Sequence, residues 1–215
     1  MPMLYFDFDG VVADSVPAMY SIYSEFLFFY GVKPQPGEFE RLNGPSLKEI
    51  VACLKHAHGL PGNAGELLAR YEALRRDAYA ERIKPFPDVP RVLDSLAAAG
   101  QTLHLVTASE PGPVGDFLAR WRLAGYFREV VCGNAVARAK PAPDLYQLAM
   151  ERSGDVPAAG LAIEDSVNGV RSAASAGLRV LGVHAQTTVR AALNEAGAWR
   201  TAACLGAALP TLGAW

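Results

Sequence analysis

The chain has few cysteines, no run of basic residues and no long apolar stretch, and each shortage removes a class of function. Its three cysteines, Cys53, Cys132 and Cys204, are odd in number and widely spaced. They form neither the CxxC pairs of a zinc site nor the dense framework of a secreted disulfide scaffold. They read as buried free thiols in a reducing compartment. Lysine and arginine total 20 against 22 acidic residues, a formal net charge of -2. Binders of nucleic acid or membrane surfaces carry a basic excess, so neither partner is expected. A small anionic substrate remains open, because one or two placed cations suffice for it. No apolar segment approaches the ~20 residues that cross a bilayer. The opening Met-Pro-Met-Leu-Tyr-Phe-Asp lacks a basic lead and meets an acid at once, unlike a signal peptide. A cytoplasmic protein is expected.

What the chain does have is alternation. Short apolar runs at Met3–Phe6, Leu103–Val106, Val130–Cys132, Leu161–Ile163 and Val180–Val183 read as strands covered on both faces. Between them lie helical stretches punctuated by proline near the start and glycine past the end. These are Pro87–Ala99, Pro111–Leu123, Pro143–Ser153 and Asn168–Ala176. Strands alternating with helices predict an α/β fold with a doubly wound parallel sheet.

One stretch breaks the pattern. From Ser15 to about Lys84 no strand is convincing. Ser15 is expected to cap a first helix with Pro17 just inside and Gly31 at its end. Ser46-Leu47-Lys48-Glu49 fits a capping box opening a second helix that stops near Gly59, and a third runs roughly from Ala64 to Glu81. The segment reads as an all-helical insert after the first strand, leaving through Asp14-Ser15 and returning through Lys84-Pro85-Phe86-Pro87. Six aromatics crowd its first helix, Tyr20, Tyr23, Phe26, Phe28, Phe29 and Tyr30, and most should pack into the interior. His56 and His58 are expected to be solvated or capping. The tail from Thr201 carries little signal.

In a parallel sheet, ligands gather at the carboxyl ends of the strands. Four polar features fall there: Asp7-Phe8-Asp9-Gly10, Thr107, Lys140-Pro141 and Glu164-Asp165. Phosphoryl transfer needs a nucleophile, a metal to offset charge, a cation near the transferred group and an acid for the leaving oxygen. A carboxylate serves as nucleophile in some such reactions, and carboxylates are natural Mg²⁺ ligands.

The strand followed by Asp-Phe-Asp-Gly-Val-Val-Ala-Asp-Ser, the Leu-Val-Thr strand end, Lys140-Pro141 and Ile-Glu-Asp-Ser-Val-Asn-Gly resemble, in order, the four motifs of the haloacid dehalogenase superfamily. The resemblance covers essentially the whole chain, and the helical insert is similar to the cap of that family's first subclass. It implies a core domain of residues 1–14 and 86–215 and a helical cap domain of residues 15–85. It implies a Mg²⁺-dependent phosphatase for a small phosphorylated metabolite, such as a sugar phosphate or phosphoglycolate, working as monomer or homodimer. By the same resemblance Asp7 is the nucleophile and Asp9 the general acid and base. Mg²⁺ is held by Asp7, the backbone carbonyl of Asp9 and Asp165, with Glu164 acting directly or through water. Thr107 and the amide of Ala108 hold the phosphate, and Lys140 neutralises it. The loop Asn43-Gly44-Pro45-Ser46 resembles the cap's specificity loop, so Asn43 or Lys48 is expected to touch substrate. An aspartate two residues after the nucleophile points to phosphate esters. Sugar phosphomutases of the family carry a histidine where this chain has Met19, and an arginine after the cap-loop serine where it has Leu47. Lys48 or Arg41 would have to substitute. A catalytically silent binding member is the other alternative, and the intact set Asp7, Asp9, Lys140 and Asp165 weighs against it.

Overall fold

The computed structural model describes residues 3–42, 45–154 and 160–214. Among them six strands form one parallel sheet: β1 (Met3–Phe6), β2 (Thr102–Val106), β3 (Phe127–Val131), β4 (Leu161–Glu164), β5 (Arg179–Val183) and β6 (Arg200–Ala202). Their spatial order is β3-β2-β1-β4-β5-β6. The chain runs outward from β1 to β3, then returns to β1's other side with β4 and runs outward again. The order therefore reverses between β1 and β4, the place where a doubly wound sheet opens a crevice for a ligand.

The two-residue period of a strand sends successive side chains to opposite faces. Leu4 and Phe6 of β1, Leu103 and Leu105 of β2, and Leu161 and Ile163 of β4 all enter one core cluster. It is covered by α5 (Val89–Ala98), α6 (Pro111–Arg120) and α10 (Leu205–Gly213). Tyr5, Val106, Ala162 and Val180 enter the other, beneath α7 (Asp144–Ser153), α8 (Val167–Ser175) and α9 (Thr187–Glu195). Both faces are thus apolar, which is why the strands read as unbroken apolar runs rather than alternating ones.

Among the described residues of the segment after β1 there are four helices: α1 (Val16–Phe29), α2 (Pro36–Arg41), α3 (Leu47–His58) and α4 (Ala64–Glu81). Ser46 and Glu49 form the expected capping box at α3. A second box, Asn63 with Glu66, opens α4. The short helix α2 was not expected. Ser15 precedes α1 but makes no capping hydrogen bond, since its backbone is itself helical (φ -98°, ψ -22°) and turns the hydroxyl away from the free amides. Within α1, Tyr23 and Phe26 are buried, whereas Phe28 and Phe29 are 63% and 59% exposed, so the aromatic helix is less buried than its composition suggests. The Arg70 guanidinium covers the Phe29 ring at 3.2 Å. The two linkers pair with each other: the Asp14 amide donates to the Lys84 carbonyl at 2.9 Å and the Phe86 amide to the Val12 carbonyl at 3.1 Å.

Other departures are local. β3 begins at Phe127 rather than Val130, and Cys132 lies just beyond its end. All three cysteines are free, but only Cys132 is buried; Cys53 and Cys204 are exposed. His58 is partnered by Glu38 at 2.9 Å. In the tail from Thr201, where the sequence carries little signal, β6 ends and α10 follows; α9 lies before it. No described helix is long and apolar enough to cross a membrane.

Asn63→Ala removes the side chain that accepts from the Glu66 amide at 3.0 Å. It should lower stability by about 1 kcal/mol, the usual cost of losing an N-cap, read as a lower urea midpoint at unchanged slope.

Candidate active site

The site grows from the strand period. β1 places Tyr5 toward α7, so Asp7, two residues on, emerges on the same side at the strand's carboxyl end. Its amide still donates to the Ile163 carbonyl at 2.9 Å, which fixes it beside β4. Glu164, two residues after Ala162, faces the same way. Between them stands Lys140, delivered by the segment before α7. Its ammonium donates to Asp7 Oδ1 at 2.8 Å, Glu164 Oε1 at 2.6 Å and the Val106 carbonyl at 3.1 Å. The Tyr146 hydroxyl, on α7, donates to Glu164 Oε1 at 2.6 Å. All four side chains are buried.

Burial dominates the electrostatics. It pushes Asp7 up to about 7, helped by Glu164 and opposed by Lys140. Burial and the neighbouring Asp7 likewise hold Asp165 well above the usual carboxylate range. Burial alone would lower the Lys140 ammonium, but Asp7 and Glu164 outweigh it and the group stays raised and charged. One carboxylate oxygen each from Asp7, Glu164 and Asp165 lies within 4.8 Å of the others. Among the described residues Lys140 is the only cation in contact with this group, and Glu164 Oε2 is buried with no hydrogen-bond partner. Three buried acids, one cation and an orphaned oxygen are what a hard divalent cation would complete, since such ions take oxygen ligands. Two glycines make room. Gly10 has φ +80°, and a Cβ there would stand 1.9 Å from Asp165 Oδ2; a Cβ on Gly169 would stand 1.9 Å from Glu164 Oε2.

Asp9 faces the other way, toward the insert. The Tyr79 hydroxyl of α4 donates to its Oδ1, and the Ser109 hydroxyl donates to Oδ2 at 2.6 Å. Phe8 stacks on the Tyr79 ring with centroids 5.9 Å apart, so an alternate residue of the β1 loop seats the helix that supplies the tyrosine. Ser109 is itself gripped by Arg75 Nη2 at 2.9 Å, and its amide donates to Thr107 Oγ1 at 3.0 Å. That leaves the Thr107 O–H to donate elsewhere.

A cavity of about 120 Å³ opens between the sheet edge and the insert, with Asp7, Asp9, Thr107, Ala108 and Lys140 in its lining. Five residues singled out from sequence are thus brought to one cavity; Glu164 and Asp165 are outside its lining but each brings a carboxylate oxygen within 4.8 Å of one on Asp7. Lys48 is exposed and lies outside that lining. Asn43 falls outside the described residues. Sequence reasoning missed Arg75, Tyr79, Ser109 and Tyr146. Arg75 and Tyr79 are spaced i,i+4 and share a helix face, but nothing in the sequence says that this face meets the sheet edge.

Fold and site together define an α/β enzyme with its chemistry at the carboxyl edge of a parallel sheet. The family model described as haloacid dehalogenase-like hydrolase matches residues 4–183, and the chain belongs to that family. It is 30% identical over 199 residues to a phosphorylated carbohydrates phosphatase of Thermotoga maritima, covering 92% of each chain. It is 27% identical over 190 residues to a phosphoglycolate phosphatase of Pseudomonas putida, covering 84% of this chain and 68% of that one. A solved haloacid dehalogenase-like protein from Agrobacterium tumefaciens superimposes with a TM-score of 0.82 at 25% identity, over 100% of this chain and 98% of the other.

The raised Asp7 value has a consequence for the metal-free chain. From the ordinary 3.8 up to about 7, folded Asp7 holds a proton that the unfolded chain has lost. Its contribution to stability is therefore present at low pH and lost as pH rises through about 7. Asp165 acts in the same direction. Metal-free Tm should fall between about pH 4 and about pH 7, and Asp7→Asn should flatten that fall and raise Tm at the alkaline end. Thermal scans in chelator check this; an unchanged slope in the variant contradicts the assignment.

Proposed function

We propose that the chain is a Mg²⁺-dependent phosphatase that hydrolyses a small phosphorylated metabolite, a sugar phosphate or a phosphoglycolate-like ester, through a phospho-aspartate on Asp7. The observation that carries the reading is the meeting of Asp7, Asp9, Thr107 and Lys140 on one cavity at the sheet's switch point. The likeness to proteins named as phosphatases supports the reaction class.

Asp7 attacks phosphorus, and the bond to the ester oxygen breaks. Asp9 gives its proton to that oxygen, so the leaving group departs as a neutral alcohol. Water then attacks the phospho-aspartate, Asp9 takes the water's proton, and Asp7 is released with inorganic phosphate. Lys140 neutralises charge where two anions must meet in a low-dielectric site, while the Thr107 hydroxyl and the Ala108 amide hold the equatorial oxygens. Asp7, the Asp9 carbonyl and Asp165 would hold Mg²⁺, with Glu164 ligating directly or through water; when bound the ion supplies positive charge against the phosphoryl oxygens. Residues 15–85 act as a cap on a core of residues 1–14 and 86–215, closing over substrate by bending at the paired linkers.

Hydrolysis is favoured over phosphoryl transfer to a second sugar hydroxyl. Met19 and Leu47 both line the cavity and offer neither acid nor cation there.

Phosphate release from a panel of metabolite phosphates, with Mg²⁺ and with chelator, tests the reading. Release should require Mg²⁺. Asp7→Asn should lose about 10³-fold or more in kcat, and Asp9→Asn about 10²-fold or more. Substantial turnover by Asp7→Asn would overturn the covalent route. A folded, Mg²⁺-binding chain that releases phosphate from no ester would overturn the phosphatase in favour of a mutase or a silent member.

A further inference from the structure

We propose that Arg75 is the specificity-determining contact for a carboxylate on the leaving group, so that the site takes a short phosphoryloxy carboxylate in preference to a polyol phosphate. The proposal rests on the phosphatase reading of Asp7 and Asp9 and narrows its substrate class.

Arg75 lies on α4 and lines the cavity. It differs from the site's other cation in how it is satisfied. Lys140 is held by two carboxylates and a carbonyl. Arg75 makes no ion pair among the described residues; its Nη2 donates to the neutral Ser109 hydroxyl, and its Nε is buried without a hydrogen-bond partner. Burial would lower the guanidinium, but Tyr79 and the charge of nearby Asp9 outweigh it and keep the group charged. Yet no carboxylate touches it directly, so its donors on the cavity side are free to meet an entering anion.

Its position says which anion. Ser109 bridges Arg75 to Asp9, accepting from the guanidinium at 2.9 Å and donating to Asp9 Oδ2 at 2.6 Å. Asp9 serves the ester oxygen, so Arg75 stands beside the first atoms of the leaving group rather than beside the phosphate pocket at Thr107 and Lys140. A planar carboxylate there would accept the guanidinium's fork of donors.

The rest of the wall excludes the alternative. Val16, Met19, Phe39, Leu42, Leu47 and Ile50 form it. Among the described residues, the polar side chains that the segment from Ser15 to α4 adds to the lining are Ser15, Tyr71 and Arg75. The several hydroxyls of a sugar would lose water against this surface and gain few partners, at a cost for each one left unpaired.

Steady-state kinetics with three esters test the proposal: 2-phosphoglycolate, its carboxylate-free counterpart 2-hydroxyethyl phosphate, and fructose 1-phosphate. The wild type should favour 2-phosphoglycolate over both. Arg75→Gln should cut kcat/KM for 2-phosphoglycolate by about 30-fold, the scale of a lost charge-assisted hydrogen bond, and by at least tenfold more than for 2-hydroxyethyl phosphate. Arg75→Lys, which keeps the charge but not the fork, should fall between, and it carries the test if the glutamine variant fails to fold. Equal losses on the two small esters, or a wild type that prefers fructose 1-phosphate, would overturn the inference and leave the phosphatase standing. A wild type inactive on every ester would overturn the phosphatase reading itself.

Discussion

Lys140 is the charge on which the site depends. Three acids stand buried at one strand edge, and their mutual repulsion would scatter them or force them neutral. A single ammonium in contact with Asp7 and Glu164 holds two of them in register. It arrives from outside the sheet, on the segment leading into α7, so the edge is stabilised from a neighbouring layer. The same segment places Tyr146 on Glu164, and the lysine lies 5.1 Å from that ring's centre. Glu164 is thereby fixed through one oxygen, while the other stays buried without a hydrogen-bond partner.

The two aspartates of the first motif are two positions apart and inhabit different environments. Asp7 follows the alternation of β1 toward α7 and a positive charge, whereas the chain has left the strand by Phe8, whose carbonyl closes a turn onto the amides of Val11, Val12 and Ala13, and Asp9 meets α4 and two hydroxyls instead. The end of the strand and the turn after it therefore give the two carboxylates unlike surroundings: one beside an ammonium and two further acids, the other between neutral hydroxyl donors. Phe8 between them enters the opposite core and stacks on Tyr79, so the turn that separates them also anchors the helix that contacts Asp9.

The parallel sheet and its polar strand ends were legible because they rest on local patterns: apolar runs, proline and glycine punctuation, and acids placed where strands stop. The capping box at Ser46 was legible for the same reason, while the one at Asn63 was missed because asparagine is the less familiar opening of that pattern. Arg75, Tyr79 and Ser109 were not legible. Their meaning depends on where α4 lands on the sheet, and that is decided by packing between segments distant in sequence. Ser15 shows the reverse error, a good capping residue whose backbone did not adopt a capping conformation. The aromatics of α1 show another: composition predicted burial, and the docking of one helical face left Phe28 and Phe29 at the surface.

The pairing of the two linkers has a consequence for how such a chain changes over generations. Because residues 12–14 and 84–86 lie side by side, the polypeptide leaves the sheet and rejoins it at one point. Whatever is spliced between those positions leaves strand order and register untouched. On the function proposed above, the machinery for breaking a bond and the surface that chooses the molecule would be encoded in separable stretches, joined at a seam narrow enough for recombination to exchange one and keep the other.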